Sequence, residues 1–126
     1  MAYTNQIVIN ALKAQALTGT AGTSLYKFTV PTGKRLYLQK VIQRVTTQCN
    51  STSSPGIKIL KGSSTVKTCT VVPTTTAVGT VYVDNCSETS SVDMVFEAAE
   101  VLEIQVAVQA STACSLDVDL VLGIDN

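Results

Sequence analysis

Between residues 101 and 124, apolar and polar positions alternate almost without a break. Leu102, Ile104, Val106 and Val108 share one parity, with Glu103, Gln105, Ala107 and Gln109 on the other. Past a polar stretch at 110–115, Leu116, Val118, Leu120 and Leu122 alternate with Asp117, Asp119, Val121 and Gly123. A period of two with one apolar side predicts two strands, each with a buried and a wetted face. Upstream, Tyr26, Phe28 and Val30 alternate with Leu25, Lys27 and Thr29. Pro31-Thr32-Gly33-Lys34 should close that strand, since Pro presets φ and Gly supplies a positive φ. Residues 35–47 form a longer strand whose parity slips. Leu36, Leu38 and Ile42 fall on one side, Val41 and Val45 on the other. The slip predicts a bulge near Gln39-Lys40, or burial of both faces.

Residues 57–60 and 65–72, joined by Lys61-Gly62-Ser63-Ser64, read as a hairpin. Residues 80–84 make a short strand. Another starts at Val92, Met94 and Phe96 and breaks at Glu97-Ala98-Ala99-Glu100. Strands separated by turn signals about every ten residues predict an all-β, antiparallel sandwich, jelly-roll-like, with about seven to nine strands. Phe28, Leu36, Leu102, Ile104, Val106, Val118 and Leu120 are its expected core. Residues 1–20 read as an N-terminal arm or edge strand, and 21–126 as the sandwich domain. The arm shows no obvious partner strand in its own register. Tyr3, Ile7, Ile9 and Leu12 are therefore expected to engage a neighbouring chain.

Composition narrows the function classes. The 126 residues suffice for one core, and charged residues are only 14% against a usual ~25%. Eighteen Thr and seventeen Val suit a pleated surface. Nine basic and nine acidic residues cancel, no Lys/Arg cluster exists, and aromatic residues are 5%, so a nucleic-acid partner is not expected. No apolar run approaches the ~20 residues of a membrane helix, so no membrane partner is expected either. The N-terminus lacks a basic stretch followed by an apolar one, which predicts cytoplasmic synthesis without a signal peptide.

The chain has no His. That removes the commonest general base, the commonest metal ligand and every Ser-His or Cys-His pair, and argues against an enzyme. Asp117 and Asp119 point to one face of a strand, where a hard cation is conceivable. The simpler reading is that they mark the wet face, as do Glu97, Glu100 and Glu103. No metal, cofactor or catalytic residue is expected. Cys49, Cys69, Cys86 and Cys114 contain no Cys-x-x-Cys, and without a signal peptide free thiols are favoured over disulfides. In an up-and-down meander, Cys86 would lie at the same end as Cys114, and Cys49 could approach Cys69. The polar sequence around all four argues against their burial.

One run carries a resemblance: Tyr26-Lys27-Phe28-Thr29-Val30-Pro31-Thr32-Gly33-Lys34-Arg35-Leu36-Tyr37-Leu38, with the later turn Ala98-Ala99-Glu100-Val101-Leu102. It resembles the small β-sandwich capsid decoration (cement) proteins of tailed bacteriophages. There a strand ends in a VPxGK turn and a later strand follows an xGExL-like turn. Here Ala99 stands where that turn usually has Gly. The resemblance implies a non-enzymatic virion protein, a homotrimer bound to the major capsid protein where capsomers meet, stabilising the phage head. A tail or head-fibre component is an alternative in the same setting. A carbohydrate-binding or adhesin module is another, although no Trp and only four Tyr are available to stack on sugars.

Overall fold

A tight turn at residues 61–64 organises the chain. In the computed structural model, which describes residues 5–86 and 94–125, Gly62 takes φ 61° and joins β4 (Gly56–Lys61) to β5 (Ser64–Thr68). From this hairpin outward, the chain pairs with itself as an antiparallel ribbon. β3 (Arg35–Thr47) pairs with β6 (Val81–Asn85) and β7 (Val95–Phe96). β2 (Ser24–Thr29) pairs with β8 (Val101–Val108), and β1 (Asn5–Ala16) with β9 (Ser115–Asp125). The ribbon curls so that its pairs fall alternately into two sheets. One has the order β1-β9-β3-β6, with β7 also on β3; the other runs β2-β8-β4-β5. This is the jelly-roll arrangement, and the described residues contain nine strands and no helix.

Alternation fills the space between the sheets. Leu36, Leu38, Val41 and Val45 of β3 and Leu116, Val118, Leu120 and Leu122 of β9 are buried. Opposite them lie Ile57, Ile59, Leu102, Ile104 and Val106. Of the expected core, Phe28 alone is half-buried, because β2 is an edge strand with a neighbour on one side only. The β3 bulge lies where the parity slip predicted it, with a register shift between Leu38 and Lys40. Its consequence is a reversal of faces. Val41, Gln43 and Val45 turn inward, while Ile42 turns out.

The N-terminal segment has a partner in its own chain. Ile7 pairs with Leu122, Ile9 with Leu120 and Leu12 with Val118. Leu12 is buried, and Ile7 and Ile9 pack against the core. The reason for assigning these side chains to a neighbour is thereby removed. The partner is the last strand of the chain, which no local pattern identifies. Tyr3 lies outside the described residues.

The cysteines also depart from expectation. Cys49 is bridged to Cys114, with Cα atoms 4.4 Å apart. Because β9 lies against β3, Thr47 faces Ser115, and the two cysteines just beyond those ends meet. Neither meander pairing occurs. All four cysteines are buried, Cys69 and Cys86 outside the bridge. Beside the bridge, the buried Ser51 hydroxyl accepts the Ser111 N–H at 2.9 Å and ties the same two loops.

The Pro31 turn forms as expected, with Gly33 at φ 79° and the Lys34 N–H donated to the Pro31 carbonyl at 3.2 Å. The later turn is held against it, since Val30 and residues 99 and 100 exchange backbone hydrogen bonds. Ala99 adopts φ 71°, a conformation that costs an L-residue about 1–2 kcal/mol. Ala99→Gly should therefore stabilise the fold by about 1 kcal/mol, less than the relief of strain because glycine loses more entropy on folding. A higher urea midpoint at unchanged slope would show it, and a lower midpoint would refute it.

Candidate interaction surface

The outer face of the first sheet is laid out in rows across β1, β9, β3 and β6. Val8, Val121, Lys40 and Asn85 form one row. Asn10, Asp119, Ile42 and Val83 form the next, and Asp117, Arg44 and Val81 the third. An apolar diagonal crosses these rows: Val8, Val121, Ile42, Val83 and Val81. Val8, Val83 and Val81 are 60%, 49% and 45% exposed. Half-buried Val121 and Ile42 connect them, and an apolar stripe framed by polar residues suits a contact surface. The opposite face of the sandwich differs. There Lys27, Glu103, Gln105 and Lys58 occupy the outward positions of β2, β8 and β4. Hydrogen bonds from Ser24 and the Gln105 amide hold the Glu103 carboxyl below its ordinary range.

A polar corner adjoins the diagonal. Asn10, Leu12, Lys13, Arg44, Asp117 and Asp119 line a depression of about 210 Å³. It exists because β1 bulges twice beyond Asn10, with Ala14 at φ 48° and its N–H donated to Asp117 Oδ1 at 2.7 Å. One carboxylate oxygen is thus committed to the backbone, and two cations share the corner. Among the described residues no three His, Cys, Asp or Glu side chains converge as a metal set would. Glu97 and Glu100 serve a turn, where the Glu97 N–H is donated to Glu100 Oε1 at 2.6 Å and Arg35 Nε lies 3.2 Å from Glu97. No helix is long and apolar enough to cross a membrane among the described residues.

The side of the sandwich between β5 and β6 is closed by polar groups. Buried Asp84 accepts the Thr70 N–H at 3.1 Å and the Thr70 hydroxyl at 2.7 Å. Gln43, fully buried after the bulge, donates its amide to the Thr70 carbonyl at 3.0 Å. Cys69 and Cys86 lie in this region. Burial, helped by the Asp84 carboxylate, pushes the Cys69 thiol up; burial also raises Cys86, against the pull of Lys67. Both thiols keep their protons in the folded state at pH values where the unfolded chain, near the ordinary 9.0, releases them. Their contribution is complete below pH 9.0 and is lost as pH rises through it. The urea midpoint should thus fall above that pH, with Tyr26, also raised by burial, adding at higher pH. A Cys69→Ala, Cys86→Ala double variant should fall less steeply; an identical slope would refute the assignment.

No protein-family model, curated protein or solved structure matches the chain. The surface itself has to carry the functional reading. Sequence patterning placed Asp117 and Asp119 on one outer face, and the structure keeps them there. It missed the diagonal, which is built from four strands far apart in the chain. The usable signal was local: Val8 and Val121 sit at polar-parity positions of their strands, as do Val81 and Val83 in an otherwise short, polar segment.

Proposed function

We propose that the protein is a non-enzymatic structural protein that attaches, through the outer face of its first sheet, to a large repetitive surface. In the form that the resemblance implies, that surface is a phage head and the protein a decoration protein bound to the major capsid protein. The carrying observation is the valine diagonal on the outer face of that sheet. Burying it against a flat partner gains about 25 cal/mol per Å² of apolar surface, repeated at every copy. A jelly roll hosts many functions, so the fold adds only compatibility. The Cys49–Cys114 bridge suits a particle that persists outside a reducing cytoplasm.

The test compares virions assembled with and without the chain. Those lacking it should form but release DNA at a lower temperature. Val83→Lys should fold normally and fail to stay on the particle. Equal thermal stability of the two particles would reject the cement role. The polar corner favours a second reading, a glycan-binding module. Saturable binding of the isolated protein to a defined polysaccharide, abolished by Asp119→Ala, would establish that instead.

A further inference from the structure

The edge strands of the sandwich are not alike. In the second sheet, the edges β2 and β5 carry Lys27 and Lys67, the usual means by which proteins discourage edge pairing. In the first sheet, β1 has no charged residue from Asn5 to Leu12, and Val8 is its most exposed apolar side chain. The stretch is also straight: the register with β9 is unbroken from Asn5 to Asn10 and shifts only after that.

Backbone direction can be followed across the sheet. Val45 donates its N–H to Thr80, away from β9. Alternation then turns Arg44, Ile42 and their β9 partners Asp117 and Asp119 toward each other. Leu120 and Leu122 consequently face β1, where they meet Ile9 and Ile7. Gln6, Val8 and Asn10 are left with their backbone groups directed to the side of β1 on which no strand pairs among the described residues.

The segment reads nearly the same in both directions about Val8: Gln6-Ile7-Val8-Ile9-Asn10. We propose that this edge pairs with the same edge of a second copy, antiparallel about a two-fold axis through Val8. Val8 then faces its own equivalent, Ile7 faces Ile9 of the second copy, and Gln6 faces Asn10. Every pair matches apolar with apolar or amide with amide, as an isologous contact requires. Gln6, Val8 and Asn10 of each copy supply on the order of six backbone hydrogen bonds. The half-buried Ile7 and Ile9 extend the core across the axis, and the two first sheets become one. The opposite edge of that sheet, β6, carries Asp84 and does not satisfy the same condition. A two-fold axis through Val83 of β6 would set Val81 against Asn85. The inference goes beyond the attachment reading and holds whatever surface the protein binds. It replaces the threefold assembly implied by the resemblance with a two-fold one.

Sedimentation equilibrium of the purified chain should give twice the monomer mass of 13.3 kDa. Val8→Lys, and separately Val8→Asp, place like charges against each other at the axis, and each should lower the measured mass by about half. Mixed in equal amounts, these two variants face Lys with Asp and should recover the dimer, which also shows that both are folded. Val83→Lys, which tests the attachment face, should leave the dimer intact. A monomeric or trimeric wild type would overturn the proposal. So would a dimer that survives both Val8 substitutions, a mixture that stays monomeric, or a dimer broken by Val83→Lys.

Discussion

Replacing Cys49 and Cys114 together by alanine should lower the free energy of unfolding by about 4 kcal/mol. The bridge spans 65 residues, from the end of β3 to the start of β9. Closing a loop of that size removes much of the unfolded chain's freedom, and the chain-entropy estimate grows with the logarithm of its length. The bridge also joins the two strands at the centre of the first sheet, beyond their last paired residues Thr47 and Ser115. Urea unfolding with and without reductant measures the effect directly. Reduced wild type and the double alanine variant should share a lowered midpoint, and an unchanged midpoint in both would show that the crosslink contributes nothing. The denaturant slope should rise at the same time, because an uncrosslinked unfolded chain exposes more surface.

Asp84→Ala should cost about 3 kcal/mol. The substitution leaves the Thr70 N–H and hydroxyl without the carboxylate that accepts both. A buried donor stranded in this way costs about 1–3 kcal/mol, and bonds to an ionised acceptor lie at the upper end. The position also holds the sandwich shut, since Asp84 is on β6 in one sheet and Thr70 follows β5 in the other. Thr70→Val removes the hydroxyl partner, so the two substitutions should be less than additive in a double-mutant cycle. Strict additivity would show that the pair does not act as a unit.

These two effects rest on contacts that strand patterning cannot reach. Alternation encodes which way a side chain points relative to its own strand. That information is local, and it placed β3 over residues 35–47, the bulge after Leu38, the hairpin around Gly62 and the turn at Gly33. It also identified the inward sides of β8 and β9. The face reversal at the bulge shows where such reasoning stops. Ile42 shares parity with Leu36 and Leu38, yet one inserted residue puts it on the outer face and sends Gln43 into the core. Asp84 and the Thr70 carbonyl take the amide protons of buried Gln43, which offsets part of the cost of burying it.

By itself, then, the sequence determined an all-β sandwich, most of its core and the lack of a histidine-based active site, while the strand read over 65–72 ends at Thr68. Those three features follow from residue type and a period of two. Beyond the β4–β5 hairpin, tertiary structure alone decided which strands are neighbours. A strand's hydrogen-bonding edges are the same backbone groups whatever its sequence, so local pattern carries no record of the partner. Curling of the ribbon inserted β9 between β1 and β3, and three outcomes follow from that placement. It gave the N-terminal strand a partner within the chain, brought Cys49 to Cys114, and gathered Val8, Val121, Ile42, Val83 and Val81 from four distant segments onto one exposed face.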